Sequence, residues 1–325
     1  MRSAPFAVGL AQRIPLAVDA PLEMFADDVD ATMKEHAELD VLVYPELHLH
    51  GTEHLPEAER PAALEAAAVA LDADEVRALG AIAKQHGIWL VPGSIGERGP
   101  GGEFFNTQLL FAPDGGLRAR YRKMFPWRPF EPHVPGAEFV VAPIEGDAAD
   151  APATEAPAAD APAADDAAEH PAALRAGLSI CYDAWFPEHS RQLAWLGADV
   201  VLNIVKTTTP DREQELVLAR ANAITNQNYV LSVNCAAPVG RGRSIAVDPE
   251  GLIIGEAGLA ETTLVVPVDP QRVAHVRRDG TAGSNRVWSQ FGPGDAPIPL
   301  PMYDGRIDPA TWAPRGHRND TSARG

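Results

Sequence analysis

The sequence predicts an α/β layered fold built around a mixed sheet. Three observations carry that expectation. Short apolar runs of strand length alternate with longer Ala-, Leu-, Glu- and Arg-rich stretches of helix length over most of the 325 residues, a pattern that builds layered folds. The segments Pro113-Asp114-Gly115-Gly116 and Asp248-Pro249-Glu250-Gly251 carry hairpin turn chemistry, so some strands have antiparallel neighbours. Hydrophobic residues make up 46% of the chain, enough for a sizeable buried core.

The elements follow in order. Strands are expected at 6–12, 41–45, 88–93, 107–112, 138–143, 177–181, 199–205, 229–234, 243–248 and 262–268, all short apolar runs. Helices are expected at 22–38, 61–86, 187–197 and 211–227, rich in good helix formers. Thr209-Pro210-Asp211 opens the last of these, with Asp211, Glu213 and Glu215 in its first turn, where the helix dipole favours negative charge. Leu216, Ala219, Ala223 and Ile224 recur at helical spacing as its core face, and Arg220 either pairs with an acid near the site or is solvated. Gly251 and Gly255 read as turn glycines, with no phosphate-loop pattern around them. No internal repeat is present.

The stretch 146–171 is Ala, Pro, Asp and Glu with almost no large apolar residue. It buries too little to offset its ordering entropy, so it reads as a disordered surface insertion within one domain of residues 1–279. A linker between two domains is the other reading. From 280 to 325 Gly, Pro and polar residues dominate, as in a C-terminal arm and tail whose last residues fray.

The bulk numbers exclude some functions. The net charge of −18 disfavours nucleic acid and anionic membrane as partners, although eight of those charges lie between Glu145 and Glu169. No apolar run reaches membrane-spanning length. The segment before Phe6 lacks the apolar core of a signal peptide, and two cysteines do not make a disulfide framework. A cytoplasmic location is expected.

Cys181 is the most informative residue. It ends the run Gly177-Leu178-Ser179-Ile180 and precedes Tyr182-Asp183-Ala184-Trp185-Phe186-Pro187-Glu188, which opens a helical segment. Unpaired N–H groups at such a junction favour a thiolate and can hold an oxyanion. Taken alone, a cysteine at a strand end is more often a small buried hydrophobe. Three further segments change that balance. Glu46 directly follows Val41-Leu42-Val43-Tyr44-Pro45, at a strand end where α/β sheets bind ligands. Lys123 sits in Tyr121-Arg122-Lys123-Met124-Phe125, either snorkelling or buried with a designated partner. Glu131 lies in the proline-rich, rigid Trp127-Arg128-Pro129-Phe130-Glu131-Pro132-His133.

Glu46, Lys123, Glu131 and Cys181, in this order and with these neighbours, resemble the motifs of the nitrilase (carbon–nitrogen hydrolase) superfamily. The Pro-Trp-x-Pro-x-Glu flavour is most similar to its aliphatic-amidase members. The resemblance runs from Phe6 to about Asp269. Relatives often carry a glutamate in the stretch that begins here at Ala219-Arg220-Ala221; Thr225, Asn226 and Tyr229 stand in its later part, so no role is carried over there. The resemblance implies an α/β fold of the α-β-β-α sandwich type with two mixed sheets, dimerising to a four-plus-four-layer assembly through helices near 187–197 and 211–227. It implies a homodimer or larger homo-oligomer, no cofactor and no metal.

The chemistry follows from the residues. Glu46 can take the Cys181 proton, Lys123 and the Tyr182 N–H can hold the oxyanion, and Glu131 can position Lys123 or the substrate nitrogen. The substrate is expected to be a small amide, cleaved by way of a thioester. Ala184 and Trp185 stand where relatives that cleave N-carbamoyl amino acids tend to carry arginine, which favours a neutral or aromatic-lined pocket. His133, Trp185, Lys206 and Thr207 are the candidate pocket residues, with Lys206 a candidate anion anchor from the other side. Ureido and nitrile substrates remain alternatives, as does a catalytically silent binding member. An acyltransferase is disfavoured for want of membrane helices. His48, His50 and His54 have spacing that suits a metal but no second ligand cluster, and are expected at the entrance. Cys235 is expected to be structural.

Overall fold

The computed structural model describes residues 4–145, 173–300, 305 and 306. The expected insertion at 146–171 lies outside the described residues. The chain divides into two compact units, 1–288 and 289–325. In the second, the described residues are mostly exposed and hold a turn in which Asp295 accepts from Gly292 N–H. No helix among the described residues is long and apolar enough to cross a membrane.

The first unit holds two mixed sheets. One has seven strands: β1 (Phe6–Gln12), β2 (Val41–Val43), β3 (Trp89–Val91), β4 (Ser94–Arg98), β5 (Phe104–Phe111), β6 (Leu117–Arg122) and β13 (Thr262–Val268), in the order β13-β1-β2-β3-β5-β4 with β6 paired to β5. The other has six: β7 (Val141–Glu145), β8 (Ala173–Ile180), β9 (Val200–Val205), β10 (Tyr229–Asn234), β11 (Ile245–Val247) and β12 (Ile253–Glu256), in the order β12-β11-β10-β9-β8-β7.

The alternation of side chains along each strand makes the layers. Val8, Leu10, Val41 and Val43 share one core with Leu178, Ile180, Leu202 and Ile204, so the two sheets pack face to face. The intervening Leu42 and Tyr44 point the other way, into a second core with Phe25 and Val29 of α1 (Leu22–Glu35) and Val76 and Leu79 of α3 (Asp74–His86). Val201 and Val230 face a third core with Leu193 of α4 (Pro187–Trp195) and Leu216, Ala219 and Ala223 of α5 (Arg212–Asn226). The result is the expected α-β-β-α order.

Several local expectations shift. The helix expected at 61–86 is two, α2 (Arg60–Ala66) and α3, because Val69 between them pairs with Glu97 of β4 instead of continuing the helix. The strand expected at 138–143 lies at 141–145. Ile224 is 48% exposed instead of core. Arg220 donates to the Gly251 carbonyl, not to an acid. Gly251 is a turn glycine (φ 82°), but Gly255 lies inside β12, where an added Cβ would press on Leu264 and Val266. The strands β4, β6 and β12 and the helix α6 (Pro270–Asp279) had not been expected.

Candidate active site

Four strand ends from both sheets meet at the site. Glu46 follows β2, Lys123 follows β6, Cys181 follows β8, and Lys206 follows β9. The register that pairs β8 with β9 in parallel brings Ile180 level with Ile204, so the residues just beyond them leave the sheet together.

Lys123 is fully buried, and its Nζ donates to Glu46 Oε1 at 3.0 Å and to Glu131 Oε1 at 2.5 Å. Burial alone would lower its pKa. Glu46, Cys181 and Glu131 outweigh that and hold it well above the ordinary lysine value, so the ammonium keeps its charge. Burial would likewise raise Glu131, yet Lys123 and His133 bring it down to about 2. The Lys123 backbone is tied on both sides, its N–H to the Asn106 carbonyl and its carbonyl to Gly136 N–H.

Glu46 is held at both oxygens. Oε1 accepts from Asn106 Nδ2 at 2.8 Å as well as from Lys123, and Oε2 accepts from Lys206 N–H at 3.0 Å. Leu47 behind it has φ 50°, and its N–H donates to Ser94 Oγ.

Cys181 opens a short 3₁₀ turn, Cys181–Trp185, with φ 48°. A left-handed backbone at a residue with a Cβ costs on the order of 1 kcal/mol and persists only where its surroundings impose it. Burial, then Glu46, push the thiol well above its ordinary pKa, against the opposing pull of Lys123. It rests as a thiol. Tyr182 and Trp185 on the same turn are half-buried, with ring centroids 5.9 Å apart, and Phe186 stacks on Phe125.

The remaining candidates divide. His133 is buried, 3.5 Å from Glu131 Oε2 and against the Phe104 ring. The Lys206 ammonium is taken up by Glu53 at 2.7 Å. The Thr207 hydroxyl is committed to Glu215. His48 and His50 are not at an entrance: they are buried, His48 against Tyr44 and Phe25, and burial lowers them to about 3 and about 4. His54 is the more exposed one, beside Asp19. Sequence reasoning missed Asn106 and Glu53. A polar triplet, Asn106-Thr107-Gln108, inside the wholly buried β5 was the available signal for Asn106; Glu53 had none.

The family model of the carbon-nitrogen hydrolases matches residues 9–278. The chain belongs to that family. Within it, the chain is similar to a formamidase of Pseudomonas syringae pv. syringae, 33% identical over 224 residues, which are 68% of this chain and 56% of the formamidase. The match thus spans little more than half of that relative. A formamidase of Allorhizobium ampelinum is 28% identical over 78% of this chain and 68% of its own. Among solved structures, an amidase from Nesterenkonia sp. superposes with a TM-score of 0.63 at 26% identity, covering 84% of this chain and 96% of its own. In a mutant of that amidase, acrylamide has added at the active-site cysteine. Saccharomyces cerevisiae Nit3, of the nitrilase superfamily, superposes with a TM-score of 0.67 at 24% identity over 85% of this chain and 94% of its own, a likeness of fold.

Proposed function

We propose that this carbon–nitrogen hydrolase cleaves a small neutral amide to a carboxylic acid and ammonia or amine, with Cys181 as nucleophile. One observation carries the reading: a buried Lys123 ammonium is clamped between the Glu46 and Glu131 carboxylates, and Glu46 also accepts from Lys206 N–H, just past the strand paired with the one that ends just before Cys181. The formamidase and amidase relatives support it.

The steps follow from the protonation states. Because Cys181 rests as a thiol, its proton passes to Glu46 as sulfur attacks the amide carbon and the C–S bond forms. Charge collects on the carbonyl oxygen, facing Lys123 and the Tyr182 N–H; losing one such donor typically costs about 10²- to 10³-fold in rate. Glu46 then gives its proton to the nitrogen, the C–N bond breaks, and ammonia or amine leaves. A water next gives a proton to Glu46 and attacks the thioester. The C–S bond breaks, and the proton returns to sulfur. Glu131 holds Lys123 in place through Oε1, while its Oε2 faces His133 Nδ1 at 3.5 Å.

Charge favours a neutral substrate. The Lys123 and Lys206 ammoniums are both engaged by carboxylates, and the Arg128 guanidinium by the Glu131 and His133 carbonyls. The reading includes a homodimer, supported by apolar Trp195 (67% exposed), Val217 (66%) and Ile224 (48%) on the outer helices.

Ammonia release from formamide, acetamide, propionamide, ureido acids and nitriles tests the proposal. Turnover of a small amide, abolished in Cys181→Ala with circular dichroism unchanged, is the expected result. Silence across the panel, or near wild-type turnover in the variant, overturns it.

A further inference from the structure

The carboxylate of Asp183, two residues beyond Cys181 and 0% exposed, accepts three hydrogen bonds. Its Oδ2 accepts from Ile180 N–H at 2.9 Å and from the Tyr121 hydroxyl at 2.7 Å. Its Oδ1 accepts from Phe125 N–H at 2.9 Å. Ile180 immediately precedes the thiol. Tyr121 and Phe125 bracket Lys123, two residues away on either side. One carboxylate therefore ties the backbone before the thiol to the chain on both sides of the ammonium.

A second layer fixes this carboxylate. His189, fully buried, places Nε2 2.8 Å from the Tyr121 oxygen. Tyr121 has one proton, and it goes to Asp183, so the Nε2–H of His189 donates to Tyr121. Burial lowers the His189 pKa, which keeps the ring neutral in that tautomer. Met124 N–H also points at the Tyr121 oxygen, at 3.3 Å. The left-handed backbone at Cys181 (φ 48°) needs an external restraint. The Asp183 side chain, reaching back to Ile180, supplies one.

We propose that Asp183, backed by Tyr121 and His189, is the positioning device of this site, setting where the Cys181 sulfur stands relative to the Lys123 ammonium. None of the three is required to touch the reacting atoms. Their effect is on geometry, and misplacing reacting groups by about 1 Å can cost about 10²-fold in rate. The assignment rests on Cys181 being the nucleophile.

The test uses full-length Tyr121→Phe, which removes one oxygen, and Asp183→Asn, which turns an amide NH₂ toward groups that themselves donate. Two quantities are read: kcat and KM per titratable Cys181 thiol, for an amide the wild type cleaves, and the rate of Cys181 alkylation by iodoacetamide followed by peptide mass. We expect kcat per thiol to fall about tenfold in Tyr121→Phe and about 10²-fold in Asp183→Asn, with KM within about twofold and alkylation rates displaced in the same order. A structural role alone would lower the melting temperature and the number of titratable thiols but leave kcat per thiol and the alkylation rate unchanged; that result overturns the proposal. Should Asp183→Asn not fold, Tyr121→Phe decides by the same measurements. If the wild type cleaves no amide, the hydrolase reading fails, and the alkylation rates alone decide this one.

Discussion

Lys206 and Glu46 are joined through the main chain, not through their charges. The Lys206 N–H donates to Glu46 Oε2 at 3.0 Å, while its ammonium turns to Glu53 at 2.7 Å. The end of β9 thus orients the Glu46 carboxylate, and the cation that could have anchored an anionic substrate is neutralised.

Glu53→Gln should release that cation. Specificity (kcat/KM) for an amide bearing a carboxylate should rise about tenfold, the worth of one new charge-assisted hydrogen bond, while that for a neutral amide stays within about threefold. Paired steady-state kinetics on neutral and ureido-acid substrates read the difference. Equal changes for both classes would remove Lys206 from substrate selection.

Lys123→Met should be costly twice over. It leaves buried Glu46 and half-buried Glu131 without their cation, and breaking a buried pair from one side typically costs about 3–5 kcal/mol. Turnover should drop at least about 10²-fold with the oxyanion partner gone. Urea unfolding and ammonia release measure the two losses separately.

Acid should weaken the fold from near-neutral pH downward. His48 and His50 are held neutral, with pKa values of about 3 and about 4 against 6.5 for an unperturbed ring. Between those limits the unfolded chain binds more protons than the folded one. Their contribution is therefore complete above about pH 6.5 and falls as pH drops toward 4 and then 3, at up to about 1.4 kcal/mol per pH unit for each ring. Glu131 adds to the loss later, as pH falls from 4.5 through about 2. Neither His48 nitrogen has a partner among the described residues, so His48→Leu should be tolerated at pH 7 and should flatten the slope between pH 6.5 and 4 in urea titrations. An unchanged slope would assign the acid sensitivity elsewhere.

Gly93→Ala should damage the site from behind. Gly93 has φ 100°, and an added Cβ would stand 2.2 Å from the Pro45 carbonyl, one residue before Glu46. Both the backbone and the contact resist the change, so a loss of about 1–3 kcal/mol is expected together with reduced kcat. A variant with wild-type kcat and urea midpoint would show that the Glu46 loop yields freely.

The sequence by itself determined the layers and singled out the candidate site residues. Strand and helix periodicities depend on local spacing, so β1, β9, β10, α1 and α5 were legible, and Glu46, Lys123, Glu131 and Cys181 carried their signal in adjacent residues. Strands with a weak apolar pattern were not: β4 holds Gly96 and ends on Glu97-Arg98, and exposed β12 has only Ile253 and Ile254. β6 and α6 carry only brief local cues, alternating arginines in one and Asp269-Pro270 at the start of the other. Only the tertiary structure decided which polar groups meet. Asn106 lies 60 positions from Glu46, Lys206 lies 160, and Asp183 lies 62 from Tyr121. Such pairings are set by sheet register and by the packing of one sheet on the other, and no local spacing encodes them. The same long-range contacts neutralised Lys206 and drew His48 and His50 into the interior, because burying a charge is costly unless a partner is brought to it or its proton is given up.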